Sequence, residues 1–251
     1  MRDRLAKLAA GKPVTASLVL VFLTLAATAG GFLLGRWWLP ALQAVVAYPF
    51  FYFGLRSGLR GRTVGWMCLW AVVASGGTIG LTAVDRAAAA GVIVRGEAYR
   101  TEMETWLRTG VGREGDPGEF IPEHLLHIGA LVAVSVPTGG LGGLLLGAVL
   151  LDYMSYYVGT LVSEAVRPLA LLVVAWPPWA WLRVCGFVLL AVDLVPRWSR
   201  RFGFIALPAP PDRRVLAAAL GCLLADVVWK GLAAEIWRRW IVAAWLGVPV
   251  G

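Results

Sequence analysis

Apolar residues in this chain come in blocks of roughly 18–25, the length that crosses a hydrocarbon core about 30 Å thick. The first three blocks run over 14–35, 37–55 and 63–84. A bundle of helices is the fold expected, because a helix satisfies its own backbone hydrogen bonds in lipid. A fourth region, 124–166, is too long for one crossing, at ~64 Å for 1.5 Å per residue. Pro137-Thr138-Gly139-Gly140 interrupts it, and Gly139, Gly143 and Gly147 recur every four residues. That spacing lets helix backbones approach closely in lipid, which suits self-association or docking of other membrane subunits. A further block at 168–195 is broken by Pro177-Pro178, and a last one covers 215–236. The pattern predicts an all-α, polytopic integral membrane bundle of six or seven transmembrane segments, forming one domain over 1–251.

Between the third and fourth blocks lies a polar stretch, 85–123, with Asp85, Glu97, Glu102, Glu104, Glu114, Asp116, Glu119 and Glu123 against five arginines. Within it, Gly96 to Thr109 reads as an extramembrane amphipathic helix with Tyr99, Met103, Trp106 and Leu107 on one face. A glycine-rich turn follows at 110–118.

Composition agrees with this picture. Hydrophobic residues make up 59% of the chain and charged residues 15%, against about 45–50% and about 25% in soluble domains. The net charge of +8 does not point to nucleic acid, since the basic residues sit in short loops beside apolar segments. One group is Arg2, Arg4, Lys7 and Lys12, and another is Arg56, Arg60 and Arg62. A third is Arg197, Arg200, Arg201, Arg213 and Arg214, around a proline-rich turn at 208–211. The positive-inside rule then puts the N terminus in the cytoplasm and 85–123 on the outer side, in a bacterial inner membrane. Ala27-Thr28-Ala29 resembles a signal-peptidase site, but the apolar run continues through Phe32-Leu33-Leu34, so an uncleaved first helix is expected. Trp37, Trp38, Trp237, Trp240 and Trp245 are expected to anchor the interfaces. Cys68, Cys185 and Cys222 fit no metal or redox spacing and read as isolated core residues.

Candidate chemistry concentrates where the polar stretch meets the fourth block. The chain's two histidines, His124 and His127, sit three apart in Pro122-Glu123-His124-Leu125-Leu126-His127. On a helix starting near Pro122 they share a face and can chelate a divalent transition metal, with Asp152 as a further ligand. Glu102 or Glu123 would then serve as general base beside His124 in a metal-dependent hydrolase. Two histidines on one helix face cannot ligate a haem from opposite sides, and neither haem nor nucleotide is expected. Met103-Glu104-Thr105-Trp106-Leu107-Arg108 and Phe120-Ile121-Pro122-Glu123-His124 partly resemble the motifs of CAAX-processing membrane proteases. The chain departs from them in having Met103 at the first glutamate and no histidine after His127. Those departures remove an acid and a histidine that the family's chemistry uses.

Asp226 and Lys230, four apart near the middle of the last block, read as an intramembrane ion pair. Asp152, Tyr153, Tyr156 and Tyr157 make a polar face at helical spacing, and Glu164 with Arg167 reads as a membrane-edge pair. Three function classes follow. The first is a non-enzymatic subunit or assembly partner in a larger membrane complex. The second is the metal-dependent hydrolase. The third is a small proton- or ion-coupled transporter using Asp226, Lys230 and the proline-broken segment at Trp176–Trp179.

Overall fold

Prolines, glycines and capping aspartates set the boundaries that the apolar blocks leave open. The computed structural model describes residues 13–202 and 212–249, without the side chains of 199–202. The basic N terminus, the Arg200 and Arg201 side chains and the proline-rich turn lie outside the described residues. Ten helices and no strand occur among the described residues. The first three blocks are α1 (Pro13–Leu34), α2 (Trp38–Arg56) and α3 (Arg60–Val84). The polar stretch holds α4 (Arg86–Val92) and α5 (Gly96–Thr109), the latter with the bounds its amphipathic pattern predicts. Met103, Trp106 and Leu107 are buried on its inner face.

Next comes α6 (Pro117–Ser135), which begins at Pro117 and not near Pro122. Asp116 caps it by accepting from the Gly118 amide at 2.8 Å, and Pro117 takes a first-turn position. After a turn through Gly139 and Gly140, at φ 62° and 100°, come α7 (Leu141–Glu164), α8 (Pro168–Val174), α9 (Pro178–Phe202) and α10 (Arg213–Leu246).

Six helices, α1, α2, α3, α7, α9 and α10, are long and apolar enough to cross a membrane. The difference between six and seven segments resides in α6. It is 19 residues long, but its first half carries Glu119, Glu123, His124 and His127. It forms a hairpin with α7, and a Cβ on Gly143 would fall 2.0 Å from Ser135 Oγ. Gly147 faces Trp70 of α3. Two glycines of the stripe, Gly143 and Gly147, thus pack against helices of the same chain.

At the centre is α7, which packs on α2, α3, α5, α6 and α8. The last helix, α10, runs ten residues past the expected Ile236 to Leu246, and its second half joins α5 and α8 in an apolar cluster. Trp245 is a core residue of that cluster at 3% exposure, not an interfacial anchor, whereas Trp37 and Trp38 are exposed. Glu164 pairs with Arg86 and not with Arg167, tying the end of α7 to the start of α4. The Val166 and Arg167 amides donate to Trp245 and Ala244 carbonyls at 2.9 and 3.1 Å. The ends of α3, α7 and α10 therefore gather at one end of the bundle, with Arg56, Arg60, Arg213 and Arg214 at the other.

Solvent preference is inverted relative to a water-soluble bundle. Leu18, Phe22, Leu224 and Leu232 are more than 60% exposed, while Gln43, Asp152, Asp226 and Lys230 are at most 3% exposed. Lipid selects this arrangement, because polar side chains find partners only inside the bundle. Cys68, Cys185 and Cys222 are free thiols, each only partly buried rather than in the core.

Candidate functional site

Arg183, the one charged residue in the apolar first half of α9, organises the site. Arg183 of α9 makes a two-pronged contact with Asp226 of α10, Nε to Oδ2 at 3.0 Å and Nη2 to Oδ1 at 3.3 Å. His124 of α6 approaches the same carboxylate, with Nε2 2.9 Å from Oδ2. Its other ring nitrogen, Nδ1, lies 2.8 Å from the Phe120 carbonyl oxygen. Both nitrogens thus face oxygen acceptors, so the geometry requires a proton in the His124–Asp226 contact. Asp226 lies ~20 Å along α10 from Arg213 at 1.5 Å per residue, well inside the bundle.

One turn further along α10 is Lys230, 1% exposed. Its partner is not Asp226, as the sequence spacing suggests, but Glu114 at 2.9 Å. The Lys230 ammonium also sits 4.5 Å from the centre of the Phe120 ring, a cation–π contact that offsets part of its desolvation. Glu114 reaches it because the turn folds back on α5. Gly110 and Gly112 adopt φ 75° and 152°, and a Cβ on Gly115 would meet Trp106 Nε1 at 3.1 Å. Four elements so bring five ionisable groups together, Glu114, His124, Arg183, Asp226 and Lys230.

Toward the polar stretch, Arg113 is ringed by Glu102 at 3.4 Å, Glu123 at 3.8 Å and Glu119 at 4.0 Å. Burial raises the Glu102 carboxyl above its ordinary range against the pull of Arg113, with Glu123 and Glu114 adding to the rise. The proposed base residues Glu102 and Glu123 therefore face Arg113, whereas His124 faces Asp226.

The metal reading fares similarly. His127 is half-buried and forms no hydrogen bond among the described residues. Asp152 is bound elsewhere, accepting from Gln43 Nε2 at 3.1 Å and Thr78 Oγ1 at 3.0 Å. Among the described residues no group of three His, Cys, Asp or Glu side chains is placed to hold a metal. Asp152 is drawn away from His124 because it turns toward α2 and α3 while His124 turns toward α10.

Two cavities flank Arg183. One, of about 80 Å³, is apolar and walled by Trp70, Leu151 and Phe187, among others. The other, of about 30 Å³, is lined by Tyr99, Glu114, Tyr157 and the broken segment at Trp176-Pro177. Arg183, Met154 and Ala180 belong to both walls. Its third nitrogen, Nη1, has no protein partner among the described residues.

Sequence reasoning reaches His124, Asp226 and Lys230 but misses Arg183 and the inward path of Glu114. An arginine within the apolar run 179–195 is the available signal for the first. Nothing in the spacing of 110–118 signals the second.

The electrostatics of Glu114 make a pH prediction. Burial pushes its carboxyl up, but Lys230 and Arg183 together outweigh burial and hold it below the ordinary glutamate range. A lowered folded-state value contributes stability that is present above the unfolded value of about 4.3 and lost as pH falls through the folded one. Amide hydrogen exchange across 110–116, corrected for its intrinsic pH dependence, is expected to quicken as pH drops below ~4. Unchanged protection down to pH ~2 would contradict the assignment. Comparison with protein-family models, with curated proteins and with solved structures finds no match to this chain.

Proposed function

We propose that the chain is a small proton-coupled transporter of organic anions in a bacterial inner membrane. Its basic end and N terminus face the cytoplasm, and 85–123 lies on the outer side, as the positive-inside rule favours. The observation that carries the reading is Arg183, partly buried at 17% exposure between two cavities with a donor to spare. A guanidinium in that position recognises a carboxylate or phosphate. The apolar wall on one side suits the body of an organic anion. The helix broken at Pro177-Pro178 lines the other cavity, a common device for opening backbone toward a substrate within a membrane. The proton shared by His124 and Asp226 supplies a coupling ion, because its loss weakens a contact that ties α6 to α10.

The test is charge displacement in reconstituted proteoliposomes on a solid support, under an imposed pH gradient. Short-chain and aromatic carboxylates and simple phosphate esters are applied as probes. At least one is expected to give a saturable current that falls tenfold or more in Arg183→Gln. Silence toward the whole panel from folded wild-type protein would overturn the proposal.

A second reading, membership in a larger membrane complex, is favoured by a groove of about 580 Å³ on the bundle surface lined by Trp176, Trp181, Trp229, Trp237 and Trp240. Gentle extraction would then recover a stoichiometric partner, and a stable lone monomer would count against it.

A further inference from the structure

Away from the Arg183 site, the seam between α3 and α7 contains an unusual concentration of polar atoms. Asp152, Gln43, Ser75, Thr78 and Ser155 are all buried, at 6% exposure or less. They gather because α3 and α7 run parallel in a constant register. A Cβ on Gly159 would meet Thr82 at 2.7 Å, and one on Gly147 would lie 3.9 Å from Trp70, at the same offset between the helices. That register sets Asp152 level with Ser75 and Ser155 level with Thr78. Gln43 enters from α2, its Nε2 donating to Asp152 Oδ1 at 3.1 Å and to Thr28 Oγ1 at 3.2 Å.

The bonds formed do not satisfy the seam. Asp152 Oδ2, Gln43 Oε1, Ser75 Oγ and Ser155 Oγ are buried without any hydrogen-bond partner among the described residues. Buried polar atoms in native proteins are nearly all paired, and each exception calls for an explanation. Ser75 and Ser155 do not even take the usual helical alternative of bonding the carbonyl a turn back. A carboxylate in this setting needs a compensating positive charge, and among the described residues no lysine, arginine or histidine contacts it.

We infer that this seam is a binding site for a small monovalent cation, sodium in the first instance, held by Asp152 Oδ2, Gln43 Oε1, Ser75 Oγ and Ser155 Oγ. All four are hard oxygen atoms of the type that alkali and alkaline-earth ions select. The charge selects among those ions. One carboxylate against one monovalent cation leaves the pocket neutral, whereas a divalent ion would leave an uncompensated charge in a medium that penalises it heavily. The size follows from the packing, since the glycine at 159 draws the helices together and Gln43 and Thr78 already occupy Oδ1. The site is independent of the transport reading. Cation binding at Asp152 is measured without any substrate, and its presence or absence leaves the Arg183 experiment to be judged by itself.

The experiment is thermal unfolding of the purified full-length chain in detergent, in sodium, lithium, potassium or choline chloride at matched ionic strength. Tryptophan emission serves as the readout, because the Trp70 indole donates to the Gln43 carbonyl at 3.1 Å beside the site. A ligand that binds only the folded state raises the midpoint by mass action. A concentration a hundredfold above Kd gives about 5–10 °C for a chain of this size. Sodium is expected to raise the midpoint saturably over choline, and Asp152→Asn is expected to abolish the sodium-specific shift. Asp152→Asn retains the shape and the bonds from Gln43 and Thr78, so its midpoint in choline should equal or exceed that of wild type, which shows that it folds. Ser155→Ala, removing one neutral oxygen, is expected to raise the half-saturating sodium concentration about tenfold. Identical melting in sodium and choline would overturn the inference, leaving a proton or water on Asp152. A sodium shift surviving in Asp152→Asn would do so equally.

Discussion

Replacing Asp226 with asparagine is expected to destabilise the folded chain by about 3–5 kcal/mol, the range for removing one partner of a buried charged pair. The magnitude follows from the groups the substitution leaves behind. Arg183 loses the charge that faces it, and Arg183 and His124 are left with one amide oxygen where the carboxylate offered two acceptors. Three elements, α6, α9 and α10, meet at this one side chain, and among the described residues no other acid contacts Arg183 directly. Chemical or detergent-driven unfolding, followed by circular dichroism, measures the loss. Adding Arg183→Gln to Asp226→Asn should recover at least half of it, because the second change removes the orphaned guanidinium, and such non-additivity marks residues in direct contact. A single-mutant loss below ~1 kcal/mol, the level of exposed ion pairs, would mean that this network does not join the three helices.

Lys230→Met is expected to act through the turn it holds. Methionine preserves the apolar stem but leaves the Glu114 carboxylate inside the bundle without its cation, again a loss of about 3–5 kcal/mol if the carboxylate stayed buried. The carboxylate has an escape, because Gly110, Gly112 and Gly115 hinge the turn beside Trp106. The expected outcome is therefore local, with the turn swinging into water and Arg113 leaving Glu102 and Glu123. Limited trypsin digestion after Arg113 should be at least tenfold faster in Lys230→Met than in wild type, with global unfolding shifted less than in Asp226→Asn. Double replacement with Glu114→Gln should restore resistance to trypsin, since a neutral amide has less need of the cation. Equal cleavage in wild type and Lys230→Met would show that Glu114 is not held by this contact.

The two substitutions also separate the features legible along the chain from those that are not. His124, Asp226 and Lys230 stand out because ionisable groups are rare in apolar segments. The pairing nevertheless differs from the one their spacing suggests, with Asp226 joined to His124 and Arg183 and Lys230 to Glu114. An i, i+4 spacing makes two side chains neighbours on a helix surface, but it does not make them partners when each meets a better-placed charge from another helix. The same reasoning accounts for Glu164, which sits near Arg167 in sequence and pairs with Arg86 in space. Asp152 is a candidate third ligand for the histidines in sequence, but the α3–α7 register turns it toward Gln43 and Thr78.

By itself, the amino-acid sequence determined the membrane helices, the amphipathic α5 and the breaks at Pro137–Gly140 and Pro177-Pro178. Block length, hydrophobic period and backbone restriction are local properties, carried by neighbours along the chain. Only the tertiary structure decided which charges meet, that the glycine stripe serves α6 and α3, and that Glu114 enters the bundle. Those outcomes depend on helix register and on the path of one turn, and each is settled by the cost of leaving a buried polar group unpaired. That cost is shared among residues as far apart as Gln43 and Asp152, or Glu114 and Lys230, so no stretch of sequence contains it.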